Sequence, residues 1–262
     1  MSNASSKPAP KNKKDRLYAW SPLTSLLVVI GSFLIIPTVV QIALIFLPNI
    51  LGWDSARTEH WVNDAPLANF LFVLLTEAFT VGALYKFSVW KHVPFRETMG
   101  LGKPKWRDTW HALLGLLIYF GIFTLLYGVI TNVLSIDTTQ KQALGFEQGV
   151  GGVGLWLAFA SLVILPPIAE EIMFRGFFFG TLRRNGITLW PSILVTSALF
   201  ASLHLFGGAG GGLLWAAFID VFSLSLVLCY LREQNGTIWA SIGVHALKNG
   251  FVFLNLFIIQ GH

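Results

Sequence analysis

Charge is scarce in this sequence. Only 12% of its 262 residues are Asp, Glu, Lys or Arg, while 54% are hydrophobic. A soluble domain carries about a quarter charged residues, so an ordinary water-facing surface is excluded. Cysteine is scarcer still. The single thiol, Cys229, lies inside an apolar run. That excludes an intramolecular disulfide and a cysteine-based metal site, and it leaves a packed or lipid-facing side chain. Familiar catalytic signatures are also missing. No HExxH occurs, so the chain is not a zincin. No GxSxG occurs, which argues against a serine nucleophile of that type. No GxGD accompanies a second intramembrane Asp, which argues against an aspartyl intramembrane site. There is no internal repeat, and the glycine-rich stretch at 207–212 is not followed by the GK[ST] of a phosphate loop.

What the sequence has instead is long apolar runs. A helix needs about 20 apolar residues to cross a hydrocarbon core, and runs of that order recur along the chain. Seven spanning segments are expected, at 21–50, 65–90, 110–134, 152–184, 189–206, 213–231 and 237–259. The fold class is therefore all-α, a polytopic transmembrane bundle of about seven to eight helices. The chain starts MSNASSKPAPKNKKDR, which is polar, basic and rich in Ser and Pro, so a disordered tail is expected over residues 1–20. The run that follows is too long for a signal-peptide core and lacks a small-residue cleavage site, so it reads as a retained first span.

Net charge is +5. No basic patch is interleaved with aromatics, so no nucleic-acid partner is expected; the bilayer is the partner. The basic residues fall in alternate connections. The tail carries Lys7, Lys11, Lys13, Lys14 and Arg16, and the second-to-third connection carries Lys91, Arg96, Lys103, Lys105 and Arg107. Arg183 and Arg184 follow the fourth segment, and Arg232 follows the sixth. The other loops hold Arg57 and Lys141, offset by Asp54, Glu59, Asp64, Asp137 and Glu147. The positive-inside rule then sets the N-terminus in the cytoplasm and the C-terminus outside, in the plasma membrane of a prokaryote. Trp53, Trp61, Trp90, Trp110, Trp190 and Trp239 near span ends read as interfacial anchors. The run at 152–184 would extend roughly 50 Å as one helix, longer than a core of about 30 Å. Pro166 and Pro167 interrupt it, so a kink or break is expected there.

Ionisable residues within apolar spans are costly and mark function. Here they are Glu77, Glu170, Glu171, Arg175, His204, Asp220, His245 and Lys248, with Asn249 as a polar neighbour. Glu170 and Glu171 point about 100° apart on a helix. Arg175 lies four residues beyond Glu171 on the same face, so those two form a pair and Glu170 is left as the reactive carboxylate. It can take a proton from water and deliver it to a leaving amine. Asn249 shares a face with His245 and can orient the imidazole or bind a developing oxyanion. Two histidines and a glutamate suit either of two sites. One holds a divalent metal such as zinc with an open position for water; the other is a metal-free carboxylate–histidine site. Both remain open at this point. Glu77 and Asp220 read as bundle-facing groups bonded to a neighbouring helix, and Lys248 as a snorkelling or paired cation.

These residues lie in three short patterns. EEIMFRGFFFG, from Glu170, resembles the EExxxR motif of the CPBP (CAAX protease and bacteriocin-processing) family, which includes the type II CAAX prenyl endopeptidases. FASLH, through Phe200 and His204, resembles its FxxxH motif. HALKN, through His245 and Asn249, resembles its third motif. All three occur in the family's order, each on its own apolar segment, across roughly 152–259. The resemblance implies an intramembrane endopeptidase acting on a membrane-associated or prenylated, CAAX-type peptide or protein. It implies Glu170 as the base, His204 as holder of the water or intermediate, His245 and Asn249 as the remaining polar set, and Glu171 and Arg175 as support. A divalent metal and a metal-free glutamate mechanism are both compatible with it. The implied organisation is a tail (1–20), variable N-terminal spans (21–150) and a catalytic core (151–262). A non-proteolytic immunity or scaffold protein of the same fold is the competing reading. A transporter is disfavoured, because no inverted repeat or pair of broken helices is present.

Overall fold

A computed structural model describes residues 20–134, 136–140, 145–147, 149–206 and 212–260. The expected disordered tail, Lys141 and most of the glycine-rich stretch lie outside them. Every element among the described residues is helical. Helix α1 (Pro22–Ile50) starts with Ser21 accepting a hydrogen bond from the Thr24 N–H and with Pro22 in its first turn. This uses a side-chain cap and a residue whose missing N–H costs nothing there. Short α2 (Ser55–Asn63) is capped by Asp54 in the same way. Next come α3 (Pro66–Trp90), the single turn α4 (Phe95–Thr98) and α5 (Trp106–Val133). The long α6 (Val153–Arg184) precedes α7 (Leu189–Leu203), α8 (Trp215–Asn235) and α9 (Trp239–Ile259).

Six of these helices, α1, α3, α5, α6, α8 and α9, are long and apolar enough to cross a membrane. The molecule is a polytopic membrane helix bundle. The expected span at 189–206 is shorter as a helix than the other six. Helix α7 has 15 residues, about 22 Å, which falls short of the hydrocarbon core. Its apolar run continues to Phe206, but the chain turns first. The His204 N–H bonds Ala201 O, the Leu205 N–H bonds Ser202 O, and the Leu214 N–H returns to Leu205 O. Helix α6, expected to kink or break at its prolines, does not break. It runs on through Pro166 and Pro167 without a break, because the turn at Ala160–Ile164 just before them widens to π geometry. A second π stretch, Ile172–Phe179, follows the glutamates. Trp20, counted with the tail, is instead buried, edge-on to Phe177 and stacked on Phe87.

The basic connections gather at one end of the bundle. Asn185 bonds Trp20 O, Arg184 bonds Thr98 O, Arg107 bonds Asn235 O, and Arg183 pairs with Glu233. The start of α1, the loop after α3, the end of α6 and the α8–α9 turn therefore meet. The acidic connections, with α2 and the α5–α6 loop, fall at the other end, where Asn69 reaches Gly145 O.

At the basic end the loop residue Met99 is fully buried against α6. A Cβ on Gly176 would stand 2.6 Å from the Met99 carbonyl oxygen. That contact is backbone against backbone, so no side chain can swing away. Gly176→Ala is expected to cost about 1–3 kcal/mol by overpacking, seen as a lowered unfolding temperature in detergent. An unchanged midpoint would mean that the loop yields freely.

Candidate active site

The site is assembled from the second half of α6 outward. Glu171 and Arg175 both have fully buried side chains and pair through Oε1 and Nη1 at 2.8 Å. The second arm of the guanidinium donates to Ser225 Oγ of α8 at 2.7 Å, and its carbon lies 4.7 Å from the centre of the Phe200 ring. Arg175 thus ties α6 to α8 and rests on α7. A fork of this kind can satisfy two acceptors in a fixed plane, and burial without both partners would be costly.

His245 of α9 meets both glutamates. Its Nδ1 lies 3.1 Å from Glu171 Oε1, and its Nε2 lies 3.7 Å from Glu170 Oε2. The first contact is a hydrogen bond, with Nδ1–H donating to the carboxylate. The second is longer than a direct hydrogen bond. The two glutamates point in different directions along α6, and one imidazole spans the difference. Its ring stands edge-on to Phe200. His204, at the end of α7, packs edge-on to the same ring at 4.7 Å. Its Nδ1 lies 2.9 Å from Phe200 O, so that nitrogen carries the proton and Nε2 is the one that can meet a group in the cavity.

Glu170, His204 and His245 line one cavity of about 230 Å³. Its walls come from α6, α7, α8 and α9. Lys248 and Asp220 also line it, paired at 2.5 Å, and Tyr119 of α5 donates to the other Asp220 oxygen. Asp220 thus has the neighbour-helix bonds expected of it, but on the cavity wall. The three motifs lie on α6, α7 and α9, and none of them points to the wall that α8 supplies. The spacing of Asp220 carried no signal of this, since its partners lie on two other helices. Glu77 lies on α3, which packs against the stretch of α6 that carries Glu170. Asn249 is on the same cavity wall, and its Nδ2 donates to Leu162 O of α6 at 2.9 Å.

A catalytic zinc takes three protein ligands and one water. Among the described residues no three His, Cys, Asp or Glu side chains are placed to share one ion. Bonds at Nδ1 leave both Nε2 atoms and Glu170 on the cavity wall, and the inner glutamate is held by Arg175. As placed, these donors do not form a group that could hold one ion. The buried Glu171–His245–Arg175 network suits a glutamate-based arrangement.

The three sequence patterns therefore converge on one cavity, and comparison with known proteins agrees with where they lie. The family described as type II CAAX prenyl endopeptidase Rce1-like matches residues 152–251. Uncharacterized protein YyaK of Bacillus subtilis (strain 168) is 29% identical over 174 residues, which is 64% of this chain. The chain spans about half of that relative, 53% of its length. No solved structure matches. From α6 to the middle of α9, across the cavity that holds Glu170, His204 and His245, this membrane protein carries an Rce1-like CAAX protease domain of the CPBP family.

Proposed function

We propose that the chain is an intramembrane endopeptidase that hydrolyses a peptide bond of a membrane-associated substrate with water activated by Glu170. The observation that carries this reading is the placement of Glu170 Oε2 opposite His245 Nε2, 3.7 Å apart in an internal cavity. A water held by both can give a proton to Glu170 while its oxygen attacks the carbonyl. Glu170 then returns the proton to the leaving amine. His245 keeps its orientation because Nδ1–H is anchored on Glu171 and Glu171 on Arg175.

His204 presents a lone pair at Nε2, which suits it to accept a hydrogen bond from water. An oxyanion needs donors or positive charge, and Lys248 is a cation on the cavity wall. The family match supports a peptide or protein substrate, with prenylated, CAAX-type ends as the first to try. The segregation of basic connections to one bundle end supports a cytoplasmic N-terminus, in a prokaryotic plasma membrane.

The test is cleavage of a panel of membrane-anchored peptides, prenylated and unprenylated, by the purified chain in proteoliposomes. The control is the Glu170→Gln chain. Cleavage is expected to occur only with the unaltered chain and to persist in excess chelator. Loss of activity with chelator and its return on adding zinc would refute the metal-free mechanism. Failure to cut any peptide, by a chain shown to be folded, would count against the endopeptidase reading.

A further inference from the structure

Proline cannot donate a backbone hydrogen bond, and two stand in succession here. In an α-helix the Leu162 carbonyl bonds the N–H of residue 166, and in a π turn that of residue 167. Both residues are Pro, so Leu162 O loses its backbone partner in either geometry. The register change at Ala160–Ile164 does not supply one, because the Leu165 N–H goes to Ala160 O. The partner comes from another helix, as Asn249 Nδ2 donates to Leu162 O at 2.9 Å. A carbonyl facing a membrane interior without a donor is costly, so this amide fills a specific need.

Leu162, Pro166 and Glu170 all line the cavity, four residues apart along α6, and Asn249 and His245 line it from α9, also four apart. The Asn249–Leu162 bond thus joins the same two helices as the Glu170–His245 approach, about one turn from it along α9 and two along α6.

From this we infer that Asn249 is a positioning residue: its amide replaces the backbone donor missing at Pro166 and Pro167, and so sets α6, with Glu170, in register against His245 on α9. The inference rests on the proposed endopeptidase reading only for its consequence in turnover. The bond itself is independent of activity. It differs from both roles first expected of Asn249, orienting the His245 imidazole or meeting the substrate's oxyanion.

Restoring the lost donor separates this role from those two. Asn249→Ala, Pro166→Ala and the double variant are compared in full-length protein. Asn249→Asp keeps the shape without the amide donor. Pro167→Ala repeats the cycle in the π register in case the first double variant fails to fold. Asn249→Ala is expected to lower the unfolding temperature in detergent by about 3 °C or more, with Asn249→Asp close to it. It is also expected to lower kcat by about tenfold or more with KM within about twofold, as for a group that orients the base rather than binding substrate.

On the Pro166→Ala background both losses should shrink to less than half, since an N–H at 166 now reaches Leu162 O. Recovery of the unfolding temperature with no recovery of kcat would overturn the positioning role in favour of direct contact with the intermediate. An unfolding temperature unmoved by Asn249→Ala would overturn the bond's importance altogether. If the unaltered chain cleaves nothing, the endopeptidase reading fails, while the thermal cycle still decides what Asn249 holds.

Discussion

Glu170→Gln is expected to reduce turnover by at least about 10³-fold, within the range of removing a positioned general base. The amide has the shape of the carboxyl group but cannot take a proton from water. The fold should not notice. The Glu170 side chain faces a cavity, and the nearest ionisable nitrogen is His245 Nε2 at 3.7 Å, so no buried ion pair breaks. Unfolding temperature and elution in detergent should match those of the unaltered chain while cleavage disappears. Glu171→Gln should behave differently, lowering stability and turnover together, because that carboxylate anchors both Arg175 and His245. Equal cleavage by Glu170→Gln and the unaltered chain would remove Glu170 from the mechanism.

The largest stability effect is expected at Arg175. Arg175→Met keeps much of the volume and deletes the charge, which leaves the Glu171 carboxylate buried without its cation. Breaking one side of a buried pair costs about 3–5 kcal/mol, a large share of the 5–15 kcal/mol typical of a folded domain. The Ser225 bond and the contact with the Phe200 ring go with it. A sharply lowered unfolding temperature or poor recovery of folded protein is the expected result. Arg175→Lys should recover only part, since an ammonium cannot fork to two acceptors on different helices. The double variant Arg175→Met with Glu171→Gln should be more stable than Arg175→Met alone, because the stranded charge is gone. A single variant as stable as the original would show that the pair contributes nothing net.

The parts of this architecture that follow local rules were readable in advance. The Glu171–Arg175 pair follows from four-residue spacing, and the six long helices follow from run length. Convergence of Glu170, His204 and His245 was approachable only through their surrounding motifs, since nothing in a single helix says which neighbour it will face. That one imidazole reaches both glutamates depends on how α9 crosses α6, and the wall contributed by Asp220 depends on α5, α8 and α9 together. The length of α7 was misread because the apolar run continues beyond the last helical residue. The prolines of α6 were read as a kink or a break. The rule describes a lone α-helix, whereas here a widened turn and a side-chain amide from α9 accommodate them.

The short α7 also bears on the lipid. A helix of about 22 Å beside neighbours that span the full core leaves roughly 8 Å of depth to be covered by the turn that follows it or by a thinner bilayer. Bilayers answer such a shortfall by thinning locally, at a cost of fractions of a kcal/mol per Å. Thinning draws the aqueous phase toward the helix end, and His204 is the residue at that end. In the proposed reaction, such thinning would bring water nearer to the cavity and would make turnover depend on the thickness of the surrounding membrane.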